Sequence, residues 1–218
     1  MLNTAGVVAR RDRIIRSLPE TQKRAVERIT QSHSSQWLTV VPLQRDDLDL
    51  SPSQFRDGLC VRYGKEPREL PSHCDGCGER MNLCHALNCK KGGLVKRGHD
   101  QIRDQCGKMA SLAWNSVGLE PVMQENADGT PRLVADIRIH GVWSQERTAY
   151  FDTRVVNADA SSYGSLAWST ISQNAANEKH RKYDTAAEDL RGSFTPLVVS
   201  CDGSLHREYD SFLKRMAE

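Results

Sequence analysis

Three cysteines and one histidine are spaced as a metal-binding set, Cys74-x2-Cys77-x7-His85-x3-Cys89. Thiolates and an imidazole drawn from so short a segment meet the tetrahedral preference of zinc, and with all four positions filled no place remains for a reacting water, so such a zinc is structural. Gly76 and Gly78 permit the turn in which backbone N–H groups approach the thiolates. Cys84 is an alternative to His85 as fourth ligand, at a less usual spacing. The seven cysteines are odd in number and four fall within residues 74–89, which fits metal ligation in a reducing compartment better than a disulfide framework. Cys60, Cys106 and Cys201 read as small buried hydrophobes. The basic run beside the cluster, Lys90, Lys91, Lys96 and Arg97, suits contact with phosphate. Part of that charge offsets the negative charge of a zinc ion held by three thiolates.

A second constellation consists of carboxylates in apolar company. Asp136 lies in Leu133-Val134-Ala135-Asp136-Ile137, and Asp152 in Ala149-Tyr150-Phe151-Asp152-Thr153-Arg154-Val155. Burying a carboxylate there is costly unless a cation pairs with it, and two on adjacent strands repel each other. A divalent metal resolves both problems. Alternation along a strand puts Arg154 on the face of Asp152, and carboxylates holding Mg2+ or Mn2+ beside such a cation are suited to phosphodiester hydrolysis. Lys179, Lys182 and Tyr183, at i, i+3 and i+4, give the next helix one cationic, hydrogen-bonding face. The plainer reading is ion pairing alone: Asp136 with Arg154 or Asp152 with Arg138 across strands, and Glu178 with Lys182 along the helix. No G-x-S-x-G elbow, P-loop or G-x-G-x-x-G offers a competing chemistry.

The elements that must position these residues follow from punctuation and periodicity. Ser17-x-x-Glu20 with Pro19 reads as a capping box opening a helix to about Gln31, and Ser51-Pro52 with Gln54 opens a second that carries Phe55, Leu59 and Tyr63 and stops at Gly64. Pro67 and Pro71 mark a connector to the cysteines. Ile102, Cys106, Met109, Ala110, Ala113 and Val117 recur at helical spacing over 99–117, with Gly118 as the expected C-cap. Extended segments are expected over 120–125, 133–142 and 149–156 as an antiparallel meander, then a polar helix over 175–190, a strand over 194–200 and a helix over 205–216. Apart from the two N-terminal helices and the cysteine segment, the order is α-β-β-β-α-β-α.

Composition sets the outer limits. The chain has 218 residues, of which 38% are hydrophobic and 27% charged, enough for one ordinary domain and an appendage. Its aliphatic clusters, such as Pro196-Leu197-Val198-Val199, fall far short of the roughly 20 residues of a membrane span. A formal net charge of +2 announces no polyanionic partner, yet residues 1–30 hold seven basic residues against three acidic, which suits a phosphate backbone or, more plainly, a solvated helix.

Taken in order, a zinc cluster, Arg97-Gly98-His99-Asp100, two strand aspartates and Lys179-x-x-Lys182-Tyr183 resemble the restriction-like endonuclease domain of site-specific non-LTR retrotransposons. The resemblance runs from about Trp37 to the C-terminus. It takes in the segments Phe55-Arg56-Asp57-Gly58-Leu59-Cys60-Val61-Arg62-Tyr63, His85-Ala86-Leu87-Asn88-Cys89 and Thr195-Pro196-Leu197-Val198. It implies an α/β (α+β) PD-(D/E)xK nuclease core of αβββαβ order with a mixed sheet over 94–218, a CCHC zinc knuckle over 71–93 and a basic helical region over 1–70. It also implies metal-dependent nicking of target DNA, within a reverse-transcriptase polyprotein.

By that resemblance Asp136 and Asp152 bind Mg2+ or Mn2+ with Glu120 as a further candidate ligand, and Lys179 or Lys182 takes the lysine role. Lys90, Lys91, Lys96, Arg97, His99, Asp100, Arg103 and Tyr183 then belong to the DNA interface, with His99, Asp100 and Arg103 alternatively supporting the metal. DNA is the implied partner, with element RNA and a second copy of the chain as further candidates, and the nucleus is the implied compartment. Two positions depart from the family signature. Ala135 stands where proline is expected before Asp136, and Arg154 stands at the D-x-K position, where it keeps its proton and can hold a phosphate without acting as a base. The rival readings are a nucleic-acid-binding module that no longer cuts and a retroelement remnant without activity.

Overall fold

The computed structural model of the chain describes residues 4–31, 34–46 and 49–218. The N-terminal part holds α1 (Thr4–Ser17), α2 (Glu20–Gln31) and α3 (Pro52–Arg62), and the cysteine segment holds the short α4 (Leu83–Asn88). There follow α5 (Leu94–Ala113), β1 (Val117–Leu119), β2 (Val122–Glu125), β3 (Pro131–Val134), β4 (Ile137–His140), β5 (Thr148–Val156), α6 (Trp168–Asp189), β6 (Ser193–Ser200) and α7 (Arg207–Met216). No helix among the described residues is long and apolar enough to cross a membrane.

Four strands make one mixed sheet in the order β1-β4-β5-β6, with β1, β4 and β5 antiparallel in turn and β5 parallel to β6. A parallel pair needs a crossover, and α6 supplies it. Strand alternation divides the core in two. Ile137, Ile139, Phe151, Leu197 and Val199 pack against Cys106 and Ala110 of α5 and Tyr209 and Phe212 of α7. On the opposite face Tyr150 and Phe194 meet Tyr183, Ala186 and Ala187 of α6, while Val156 and Val198 meet Ile171, Ala175 and Ala176. The sheet is thus sandwiched between α5 with α7 and α6.

The first extended segment, expected over 120–125, starts only at Val122 and is preceded by the separate strand β1, and the second, expected over 133–142, breaks at Ala135 and Asp136. Pro121 lacks an N–H and Glu120 sits at φ 49°, a left-handed conformation in which a non-glycine residue is strained, so β1 stops and the chain re-enters as β2, which pairs only with β3. Ala135 and Asp136 form the facing break: Glu120 N–H donates to Asp136 O at 2.9 Å and Ala135 N–H to Pro121 O at 3.1 Å. Asp136 therefore lies at a bend before β4 and not inside a strand.

Other boundaries shift for local reasons. Helix α5 begins at Leu94, where Gly93 takes φ 74°, and ends at Ala113, where Trp114 turns extended and its N–H closes on Ala110 O. Gly118 is accordingly a strand residue and not the expected C-cap. Helix α6 begins at Trp168, ahead of the expected start, because its first turns are polar and carry little periodic signal. The box at Ser17 does not form, since Ser17 is the last residue of α1 and its hydroxyl donates back to Ile14 O at 2.8 Å. At Ser51 the box is complete: its Oγ accepts from Gln54 N–H at 3.2 Å, and Gln54 Oε1 accepts from Ser51 N–H at 2.8 Å.

The basic N-terminal stretch is only partly solvated. Arg28 of α2 is 7% exposed and forms ion pairs with Asp159 at 2.6 Å and Asp202 at 2.7 Å, in the loops that leave β5 and β6. Arg24 donates to Gly164 O at 2.6 Å. These two arginines fasten α2 to the sheet.

Candidate zinc and carboxylate sites

The cysteine segment folds so that its ligand atoms converge. Gly78 N–H donates to Cys74 O at 2.8 Å and Cys74 N–H to Glu79 O at 2.9 Å, closing the turn that carries Cys74 and Cys77. Asn82 caps α4 by accepting from His85 N–H at 2.8 Å, and His85 and Cys89 then stand one helical turn apart. Among the described residues, Cys74, Cys77, His85 and Cys89 are the only group of three or more His, Cys, Asp and Glu side chains with all ligand atoms within 4.8 Å of one another. Cys74 Sγ lies 3.7 Å from Cys89 Sγ, Cys89 Sγ lies 3.8 Å from Cys77 Sγ, and Cys77 Sγ lies 3.2 Å from His85 Nε2. Metal–sulfur bonds of about 2.3 Å in a tetrahedron place sulfurs about 3.8 Å apart, so this set could hold a zinc ion. The His85 ring, with the N–H groups of Gly76 and Cys77, brings the Cys74 thiol down to about 6.

Cys84 is not in the set; it is exposed, with its sulfur 3.3 Å from Asn88 Nδ2. Gly76 is required by packing as well as by the turn, because a Cβ there would stand 2.4 Å from the Lys91 carbonyl. The knuckle is thereby pressed onto the segment that leads into α5. Lys90, Lys91, Lys96 and Arg97 are all exposed along that segment, and Lys96 pairs with Asp100 at 2.9 Å.

The carboxylates meet across β4 and β5. Ile137 pairs with Phe151 in antiparallel register, so one step back along β4 and one step forward along β5 set Asp136 opposite Asp152. Asp136 Oδ2 accepts from Thr153 N–H at 2.5 Å and from His99 Nε2 at 3.1 Å. His99 Nδ1 stands 3.2 Å from Asp100 Oδ1, so both ring nitrogens face carboxylates. Asp136 above all raises the His99 imidazole to about 9, despite partial burial. Burial opposes ionisation of Asp136, but the His99 ring and the Thr153 N–H outweigh it and hold the carboxyl below its usual range.

Asp152 is 6% exposed and receives two donors from α6: Lys179 Nζ on Oδ2 and the Tyr183 hydroxyl on Oδ1. Lys182 Nζ donates to the Tyr183 oxygen at 2.9 Å. Spacing on α6 thus brings Lys179 and Tyr183 to one carboxylate, with Lys182 one hydrogen bond behind, on the Tyr183 oxygen. Tyr183, however, is 1% exposed, stacked on Phe194 with ring centroids 4.7 Å apart, so it is walled off from any DNA and belongs to the floor of the site. Arg154 points to Glu178, at 2.5 Å, and neither of the expected cross-strand pairs nor the Glu178–Lys182 pair is formed. Glu120 pairs with Arg103 at 2.5 Å and does not join Asp136 and Asp152 as a third converging donor. The His99 contact with Asp136 spans a long stretch of sequence, and only the basic-His-acidic pattern hinted at it. The Thr153 N–H donor and the Glu178 partner of Arg154 left no sequence signal, since both depend on how α6 and β5 meet.

Comparison of the chain with protein-family models gives no match. Comparison with curated proteins likewise gives none.

Proposed function

We propose that the chain is a Mg2+- or Mn2+-dependent DNA endonuclease of the restriction-like type, derived from a site-specific non-LTR retrotransposon and stabilised by a structural zinc. The observation that carries this reading is the convergence of Lys179 and Tyr183 on Asp152, opposite Asp136, in a mixed sheet whose elements follow one another as α5-β1-β4-β5-α6-β6 once the separate β2–β3 pair is set aside. Asp136 and Asp152 fit a hard divalent cation by donor type, and such a cation would supply charge neutralisation at a phosphodiester. Lys179 orients Asp152 and presents an ammonium toward the same ground, while His99 holds Asp136. Glu120, turned to Arg103, is left out of that donor set. Exposed Lys90, Lys91, Lys96 and Arg97 are placed to take the backbone of DNA, or of element RNA, outside the reacting centre. Action on chromosomal DNA belongs in the nucleus.

One observation favours a second reading, a binding module without cleavage. Asp152 is already satisfied by an ammonium and a phenol, and Asp136 by an imidazolium and an N–H, so the acidic pair is neutralised by protein groups alone.

Nicking of supercoiled plasmid with Mg2+ or Mn2+ tests both, using the parent, Asp136→Asn and Asp152→Asn, each checked for zinc content and cooperative unfolding. Metal-dependent nicking by the parent alone supports the nuclease. A folded parent that binds duplex DNA in a salt-dependent way and never cuts leaves the binding module.

A further inference from the structure

The N-terminal helices carry a feature that neither site uses. Between α1, α2 and α3 lies a groove of about 800 Å3 with an apolar floor of Val7, Ile14 and Ile15 from α1, Leu18 from the connector that follows it, Val26 from α2 and Leu59 from α3. Val7 and Ile14 are each 51% exposed, so α1 turns an unpartnered apolar stripe into the groove. Every charged residue that lines it is basic: Arg10, Arg11, Arg56 and Lys65. Arg11 is paired with Asp12, and Arg56 with Asp57 and Glu69, but Arg10 and Lys65 make no ion pair among the described residues.

We propose that this groove receives an amphipathic helix with acidic flanks, contributed by a partner protein. The floor selects for apolar side chains at helical spacing, and the rim selects for carboxylates beside them. A nucleic acid is disfavoured because its phosphates would lose water against valine, isoleucine and leucine. A second copy of the chain is disfavoured because the exposed apolar stripe of its own α1 is flanked by Arg10, Arg11, Arg13 and Arg16, of the same sign as the rim, while Tyr209 and Phe212 of α7 and the apolar face of α6 are already buried against the sheet. At about 1.5 Å per residue, the 14 residues of α1 give a seat of about 20 Å, the length of three to four turns.

The test uses the full chain and a fluorescein-labelled helical peptide of about 18 residues, leucine at i, i+3 and i+7 and glutamate on the flanks, with a lysine-flanked twin. Fluorescence anisotropy is expected to saturate with the glutamate peptide and to weaken at least about tenfold in Ile14→Asp, a loss of about 1.4 kcal/mol. Arg10→Glu combined with Lys65→Glu is expected to exchange the preference to the lysine twin. Because these side chains are exposed, zinc content and thermal midpoint should not move, which separates lost binding from lost folding. No saturable binding, equal binding of both peptides, or an unchanged affinity in Ile14→Asp overturns the proposal. So does a mass that rises with concentration only when Ile14 is intact, which makes the occupant a second copy, or a duplex-DNA affinity that depends on Ile14.

Discussion

The Tyr183 hydroxyl of α6 donates to the Asp152 carboxylate of β5 from a position only 1% exposed. A buried carboxylate needs its donors, and this one lies deeper than the Lys179 ammonium that shares it. Tyr183→Phe keeps the stack on Phe194 and removes only the donor. The expected cost is about 1–3 kcal/mol in urea denaturation. If the site binds a divalent cation, the concentration of Mg2+ needed for half-maximal nicking should also change. A variant as stable as the parent would mean that Asp152 finds another donor and that the phenol is packing alone.

The cysteine segment makes a sharper distinction. Cys77→Ser removes one of the four converging ligands, whereas Cys84→Ser changes an exposed thiol outside the group. Metal analysis of the purified protein is expected to find about one zinc per chain in the parent and in Cys84→Ser, and a large loss in Cys77→Ser with disorder of residues 71–93. Zinc lost on changing Cys84 would restore the alternative ligand set.

The His99–Asp136 pair gives stability a defined pH window. A histidine raised to about 9 contributes stability that is full below its ordinary value near 6.5 and lost as pH rises through 9. Asp136, whose carboxyl is lowered, contributes stability present above its ordinary value near 3.9 and lost as pH falls through its folded value. The pair is therefore most stabilising between about pH 4 and 6.5. The difference in thermal midpoint between the parent and His99→Gln should be largest there and shrink toward pH 10. A difference that stays flat from pH 5 to pH 10 would show that His99 acts through shape and not charge.

Arg28 tests what holds the N-terminal helices. Its guanidinium is buried between Asp159 and Asp202, so Arg28→Ala strands two carboxylates and should cost about 3–5 kcal/mol. Changing Asp202→Asn in the same chain should recover part of that loss, because the stranded charge is removed. A loss under about 1 kcal/mol would mean that water reaches the carboxylates once the arginine is gone.

The Cys3His cluster was legible because a cysteine and histidine spacing encodes its own geometry: the residues lie within one short segment, and their turn and cap are local. The alternation of helices and extended segments was legible from periodicity, whereas the mixed sheet was expected only from the resemblance. What sequence could not place was whatever depends on distant segments meeting. Asp136 reads as a strand residue until Glu120 and Pro121 break the neighbouring strand and force a bend. Tyr183 reads as a polar member of an exposed lysine face, yet the phenol ring is what fills the gap beside Phe194. Arg28 reads as one charge in a basic arm, and only the loops after β5 and β6 reveal its partners.

Arg154 and Lys179 divide the question of which cation serves the carboxylates. Arg154 occupies the strand position next after Asp152 on the same face, but its guanidinium goes to Glu178 at 2.5 Å, while Lys179 reaches Asp152 from the helix. An arginine keeps its proton, so any proton transfer at the site falls to Lys179 or to water. Under the nuclease reading, Arg154→Lys should therefore leave the nicking rate within a few-fold of the parent, whereas Lys179→Met should lower it by at least about 100-fold. Initial rates on supercoiled plasmid, taken only from protein with parental zinc content and cooperative unfolding, make the comparison. A large gain from Arg154→Lys with little loss from Lys179→Met would give the role to the strand position, and Lys179 would then be the counter-ion that lets Asp152 be buried.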